Sequence, residues 1–525
     1  MVNEKKLKFP YRFFVLKPIV VSACAAVLSF YFFCAVENYF NKFLISLIFI
    51  LSLIIGFIFR KKKRFFIFAG IVTGSLAVLH LFFIYAEPCS LGELNKVNSI
   101  QAELTGEAYP AGEKYYAANA KLISFSYKNG AKFSSSGNIK IFFPSEMVLQ
   151  NNAYGVSAYK AFGTAAAAHA SFSVPRKIAL TNFSKGVRFE AAGHFGTKKS
   201  SISPLAFFAD KSVPEFLGWK SSVLRFRAFL RFYLMRLLAE WGSAGGLLLA
   251  LLSANRDFLS KTVSDAFRNA GLAHVLALSG MHVSLVSLTA LQMGSIFGKK
   301  SLAIKFSLIS IIFFVWFAGA APSLNRALGM MILIILGRSL GLQPSMLPVL
   351  CTMLIFHIAV KPDDALSLGF MLSYGALAGI LIFGSAVFDI LNGKIPPKIL
   401  GSFSASIGAQ TFTAPIVITK IGSLAPIGII ASVVISPLIS AFLIFGLAAI
   451  FISLLFPFTG FIFSYLLNGF YDVIYFFIKI FAIVKPFTAM TFFETLAFCL
   501  IPFTAGLVCM FYADKMLKIR ESLLR

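Results

Sequence analysis

Leu424–Leu455 reads LAPIGIIASVVISPLISAFLIFGLAAIFISLL, and none of its residues is charged. A hydrocarbon core about 30 Å thick takes about 20 consecutive apolar residues of helix to cross. The run exceeds that length and reads as a membrane crossing. The same reading extends outward. Leu272–Phe297, Phe306–Ala320, Ala327–Leu340, Leu347–Val360, Leu366–Phe388 and Phe403–Thr419 are predicted crossings before it, and Gly460–Val484 and Phe492–Tyr512 after it. Several are short or interrupted, so the number is defined only to within about two. Composition agrees. The chain is 58% apolar and 13% charged, with 61 Phe, against about 45–50% and about 25% in a soluble domain.

Three more apolar runs open the chain, Pro18–Val36, Leu44–Phe59 and Phe65–Tyr85. They read as anchors rather than a cleaved leader, because a leader would not be followed by two further runs. Arg60-Lys61-Lys62-Lys63-Arg64 separates the second from the third. Cytoplasmic loops collect Lys and Arg, which places this cluster and the N-terminus inside and everything after Tyr85 outside. Nine later crossings return the C-terminus, with Lys515, Lys518, Arg520 and Arg525, to the cytoplasm. The expected location is the cytoplasmic membrane, with both termini on its cytoplasmic side. The net charge of +27 is mostly topogenic on this reading; a share that attracts a polyanion is the sharper alternative.

From about Cys89 to about Gly218 the composition turns polar. Ile100–Ala108, Tyr115–Tyr127, Asn138–Phe143 and Lys177–Ala192 have strand character, separated by turn signals such as Asn129-Gly130 and Ser136-Gly137. A small β-barrel or sandwich is predicted. Ser221–Trp241 mixes four Arg with Phe, Leu and Met, and with Asp257–Asn269 reads as amphipathic helix at the membrane interface. The divisions are 1–88 (three anchors), 89–218 (external domain), 219–270 (interfacial helices) and 271–525 (about nine membrane segments).

The least expected segment is Ala273-His274-Val275-Leu276-Ala277-Leu278-Ser279-Gly280-Met281-His282-Val283. Ionisable residues inside a crossing are functional candidates, and Ser279-Gly280 is a place for a helix to break around a wet cavity. Two helices packing on a small Ser-Gly face, with His as interhelical bonders, is the equal alternative. Asn325-Arg326 behind Pro322, Ser373 in Gly369–Tyr374, and Gln410 ahead of Pro415 interrupt later crossings. Broken helices beside polar residues build transport paths. No metal site is expected: six scattered Cys include no CxxC, and His274 and His282 are not at i,i+4. Gly294…Gly298-Lys299-Lys300 has the wrong spacing for a phosphate-binding loop. No hydrolase motif is present, so no enzyme activity and no cofactor are expected.

Taken in order, His274–Val283, Pro322…Arg326-Ala327…Met330, Gly369-Phe370-Met371-Leu372-Ser373-Tyr374, Gln410–Pro415 and Ser436-Pro437-Leu438 resemble the motifs of the ComEC family of competence proteins. Met371 stands where the family has Gln and Ser367 where it tends to have Asp, so no polar lining role is carried over to those two. The resemblance implies a polytopic α-helical membrane protein with an extracytoplasmic OB-like β-barrel domain. It implies a channel for single-stranded DNA in natural transformation, with His274, Ser279, Gly280, His282, Asn325, Arg326, Ser373 and Gln410 along the path. Lys121, Tyr127, Lys128 and Lys140 are the expected DNA contacts outside. Implied partners are single-stranded DNA, the lipid bilayer, an outer DNA receptor, a cytoplasmic motor or strand-binding protein, a separate nuclease and a second copy of the chain. Many family members continue into a metallo-β-lactamase-like domain; ending at Arg525, this chain is expected to lack its nuclease activity. A small-solute or ion transporter with an external accessory domain is the rival, but mid-membrane acidic coupling residues are scarce. An adhesion or assembly protein is the third reading.

Overall fold

The computed structural model describes residues 18–35, 42–58, 65–85, 94–112, 114–145, 183–196, 203–212, 214–256, 258–295, 300–319, 321–488 and 491–523. Three N-terminal helices, α1 (Pro18–Ala35), α2 (Lys42–Ile58) and α3 (Phe65–Ile84), precede a sheet. Gly70 and Gly74 explain how α1 and α3 meet: a Cβ at Gly70 would lie 2.3 Å from the Ser22 carbonyl oxygen, and one at Gly74 2.7 Å from that of Ala26. Small residues four apart let two membrane helices approach at backbone distance.

The sheet comprises β1 (Val97–Leu104), β2 (Tyr109–Pro110), β3 (Tyr115–Tyr127), β4 (Lys132–Pro144), β5 (Val187–Phe195), β6 (Leu205–Ala209) and β7 (Glu215–Trp219). Alternation builds it. Ile139, Ile141 and Phe143 point inward from β4 against Ala118, Ala120 and Leu122 of β3 and Phe207 of β6, as a period of two requires. The pairings run β1–β3, β3–β4, β4–β6, β6–β5 and β5–β1, and only β4–β6 is parallel. The predicted strand Tyr115–Tyr127 is β3. Of the predicted Lys177–Ala192, residues 177–182 lie outside the described residues, and β5 begins at Val187.

Next come α4 (Ser222–Ala239), α5 (Gly242–Ser253) and α6 (Lys261–Asn269). The stretch 219–270 is not uniformly interfacial: Ala244 through Ser253 are all buried, so α5 is a core helix. The remaining helices are α7 (Gly280–Ser295), α8 (Lys300–Ala318), α9 (Pro322–Ser339), α10 (Met346–Val360), α11 (Pro362–Ala365), α12 (Leu368–Gly379), α13 (Ser385–Leu391), α14 (Pro397–Ile421), α15 (Gly428–Leu455), α16 (Gly460–Ala482) and α17 (Phe492–Leu523). Among the described residues, six helical stretches are long and apolar enough to cross a membrane, and Leu302–Ala318 and Met346–Val360 are apolar but shorter. The chain is a multi-pass membrane protein.

Two sequence expectations change. The Pro-broken crossings are continuous: α14 runs through Pro415 and α15 through Pro437. Proline inside a helix removes one hydrogen bond, and neighbouring packing in a membrane bundle tolerates that loss. An irregularity appears elsewhere, a π-helical turn at Ile380–Gly384 between α12 and α13. It lies where α14 presses closest. A Cβ at Gly408 would lie 2.5 Å from Gly384 N and 2.6 Å from the Gly379 carbonyl oxygen.

Candidate functional site

The signature segment is not a continuous crossing. Leu272–Ser279 is turn and coil, and α7 starts at Gly280. His282 explains the start. Its Nδ1 accepts the Ser279 backbone N–H at 3.2 Å and lies 3.1 Å from Ser279 Oγ, an N-terminal cap made by a ring nitrogen. His282 is fully buried, and its Nε2 has no hydrogen-bond partner among the described residues. His274, by contrast, is exposed.

Arg326 lies in the second turn of α9, beside this turn. Ser323 Oγ donates to the Leu278 carbonyl oxygen at 2.5 Å and fastens the first turn of α9 to the signature. A Cβ at Gly280 would lie 3.5 Å from Arg326 Nη2, an ordinary van der Waals contact. The other side of the guanidinium faces Tyr374, with 5.8 Å between Cζ and the ring centroid. Arg326 is 8% exposed, and Nε and Nη1 are buried without a hydrogen-bond partner among the described residues.

These groups lie at helix starts on the sheet-facing end of the bundle, not mid-helix. The preceding chain shows it. Arg227 of α4 pairs with Glu107 of the sheet domain and donates to the Trp316 carbonyl oxygen at the end of α8 at 2.5 Å. Arg231 donates to the carbonyl oxygens of Phe317 at 2.9 Å and Ala318 at 2.8 Å. Arginines that read as interfacial therefore cap one helix and tie it to the sheet. Burial opposes the charge on Glu107, but Arg231 and Arg227 outweigh it and hold the carboxyl below its usual range.

Other predicted path residues are dispersed. Gln410 Nε2 donates to the Ala425 carbonyl oxygen at 3.4 Å, where Gly271 and Gly428 touch. Asn325 and Ser373 are half-buried. Ser367, at the family's Asp position, caps α12 by accepting the Phe370 N–H at 3.2 Å. Sequence reasoning passed over His357, which bonds Tyr374 and Asp364 inside the bundle. A histidine in an apolar run was its signal.

In the sheet, Lys121 and Lys140 share one face of β3–β4: Lys121 pairs with Asn138 and Asn119 with Lys140. The Lys140 ammonium lies 5.6 Å from the Phe142 ring centroid and 5.5 Å from that of Tyr109. Tyr127 is apart from them. It packs edge-on against Phe125 and Phe133 at the border of the sheet core. Lys128 is exposed in the β3–β4 turn. Among the described residues no cluster of three His, Cys, Asp or Glu is placed to hold a metal.

Residues 251–516 match the family model described as Competence protein. An uncharacterized protein of Aquifex aeolicus is 28% identical over 52% of this chain and 62% of its own length. ComE operon protein 3 of Bacillus subtilis is 26% identical over 38% of this chain and 25% of its own length. Recombination protein 2 of Haemophilus influenzae is 24% identical over 38% and 28%. The chain thus spans less than two thirds of these relatives. No solved structure matches. The family match covers half of the chain and includes the His274–Val283 signature, Arg326 and Tyr374: the chain belongs to the competence protein family.

Proposed function

We propose that this chain conducts single-stranded DNA across the bacterial cytoplasmic membrane during DNA uptake. The observation that carries this reading is Arg326, a buried guanidinium with two idle donors at the mouth of the helix bundle. An uncompensated buried charge costs several kcal/mol, which suits a group whose partner arrives with the substrate. A guanidinium matches phosphate with its planar fork of donors and stays charged throughout cellular pH. The match to the Competence protein family model, and the name Recombination protein 2 of the Haemophilus relative, support this reading.

In this reading the sheet lies outside and both termini lie inside. The sheet is OB-like, and what supports it is the circuit of pairings that leaves β1 and returns to it through β5, with one parallel contact. Lys121 and Lys140 receive the strand there, since such sheets combine basic grooves with aromatic platforms. Each phosphate entering a negative interior works against about 2.3 kcal/mol per 100 mV. A cytoplasmic motor or strand-binding protein supplies that work, and the chain itself does not cut DNA.

The test is uptake of labelled DNA by cells carrying Arg326→Ala, normalised to the amount of protein in the membrane. Loss of charged hydrogen bonds worth about 1.5–3 kcal/mol lowers uptake roughly 10- to 150-fold. A fall that only follows the protein level would make Arg326 a packing residue and remove the reading.

A further inference from the structure

A line of four side chains leads from the bundle's sheet-facing rim to Arg326. Lys361, half-exposed, places Nζ 3.4 Å from Asp364 Oδ2. His357 Nε2 is 3.0 Å from the same oxygen. His357 Nδ1 is 3.2 Å from Tyr374 Oη, and the Tyr374 ring meets the guanidinium. His357 is 3% exposed and Tyr374 6%. Phe370 packs against both, 5.1 Å from the imidazole and 4.5 Å from the phenol between ring centroids. Tyr31 of α1 donates to the Ala365 carbonyl oxygen at 2.7 Å and pins the turn that carries Asp364.

With a neutral imidazole, the protons along this line take one order. Burial opposes the Asp364 charge, but the hydrogen bond from His357 and the charge of Lys361 outweigh it, so the carboxyl sits below its usual range. A carboxylate only accepts, so His357 Nε2 carries the proton it donates. A neutral ring leaves Nδ1 as an acceptor for Tyr374 Oη–H at 3.2 Å, nearer than the Met353 carbonyl oxygen, the hydroxyl's other acceptor at 3.4 Å. The phenol so polarised turns its ring to a cation whose Nε and Nη1 have no other partner among the described residues. Carboxylate–histidine pairs fix a ring's tautomer and orientation in the same manner at metal sites.

We propose that Asp364, His357 and Tyr374 are positioning residues that aim the idle donors of Arg326 at a phosphodiester of the passing strand. This rests on the DNA-conducting reading above. The line begins where the sheet meets the bundle, so it fixes the first phosphate contact inside the mouth. Tyr374 acts through its hydroxyl as well as its ring, and His357 acts as a donor–acceptor bridge rather than as filler.

The experiment measures DNA uptake per membrane-inserted protein for Tyr374→Phe, His357→Ala, His357→Gln and Asp364→Asn in the full chain. Coupling between residues in one network is about 0.5–3 kcal/mol. Tyr374→Phe and His357→Ala are therefore expected to lower uptake about 3- to 30-fold, with protein levels unchanged. His357→Gln keeps one donor and one acceptor and restores uptake to within about twofold of wild type. In an Arg326→Ala background, His357→Ala has no further effect on affinity of the purified full chain for a 20-nucleotide phosphodiester strand. A packing role gives a different pattern: Gln no better than Ala, or losses that multiply with Arg326→Ala. Either result overturns the proposal. Full uptake by Tyr374→Phe overturns it too. If Arg326→Ala lowers uptake while His357→Ala does not, only the positioning chain falls. If Arg326→Ala keeps wild-type uptake, the DNA reading of the site falls with it.

Discussion

The sheet and the helix bundle treat charge in opposite ways. In the sheet, carboxylates have partners: the buried Glu103 receives Lys220 at 2.8 Å and Arg188 at 3.4 Å, and the partly exposed Glu190 receives Gln101, Ser99 and Lys132. The sheet's one buried side chain without a partner, among the described residues, is the Ser135 hydroxyl. In the bundle, Arg326 and His282 leave strong donors idle. Folding alone would pair or replace such groups, because an unsatisfied buried charge costs far more than a hydroxyl. The sheet's network accordingly reads as structure, and the bundle's idle donors as provision for something absent from the chain.

That contrast breaks most visibly if the bundle's small-residue contacts prove unimportant. Gly408 meets Gly379 and Gly384 backbone to backbone. Gly408→Leu is expected to cost about 3 kcal/mol or more through overpacking, and to remove most of the protein from the membrane fraction on an immunoblot. Gly469, where an added Cβ meets nothing within 4 Å, serves as the comparison: Gly469→Leu keeps wild-type levels. Equal loss for both would mean that the crossing of α12 and α14 is not the close contact that organises the bundle.

The joint between the two regions gives the next largest effect. Glu107→Gln leaves Arg227 buried without its counter-ion. Breaking a buried pair costs about 3–5 kcal/mol; partial exposure of Glu107 reduces this to about 2–3 kcal/mol, read as a lower unfolding midpoint of the detergent-solubilised protein. The double change Glu107→Gln with Arg227→Met recovers much of the loss, as when an ion pair gives way to apolar packing. A double variant no better than the single one would show that Arg227 works through the Trp316 carbonyl instead.

Much of this was legible in the sequence, for different reasons in the two regions. Hydrocarbon demands long apolar runs, so the crossings stand out, and Leu424–Leu455 covers all of α15. Strand alternation gave Tyr115–Tyr127 to the residue, whereas Ile100–Ala108 lies three residues late on Val97–Leu104, because Thr105–Ala108 has no pleat to alternate on. Gly280 and Arg326 were visible through motif order. The bond between His357 and Tyr374 was not, although Tyr374 stands in a quoted motif, because it joins residues 17 apart on two helices, and no local period announces such a contact. Ser373 was chosen where its neighbour Tyr374 makes the connection. The proline breaks failed for the reverse reason: a local rule was overridden by packing.

The smallest expected effect tests the sheet's side of the contrast. The hydrogen bond from Gln101 at 2.5 Å, then that from Ser99, and the charge of Lys132 hold the Glu190 carboxyl below its ordinary range, against some opposition from burial. A carboxyl depressed in the folded state contributes stability that is present above its unfolded value of about 4.3 and is lost as pH falls through the lower folded value. Glu190→Gln should therefore be less stable than wild type at pH 7 by about 1 kcal/mol, since the group is partly exposed and screened. Below the folded value the two proteins converge, because the protonated carboxyl and the amide then make similar bonds. Thermal unfolding of both proteins from pH 7 down to pH 3 reads the difference directly. DNA uptake at neutral pH stays at the wild-type level per folded molecule, unlike in Arg326→Ala. A gap that persists unchanged to pH 3 would mean that shape, not charge, makes Glu190 fit. Loss of uptake without loss of stability would move Glu190 from the sheet's structural network into the route of the strand, and the division between paired and idle charges would no longer separate structure from function.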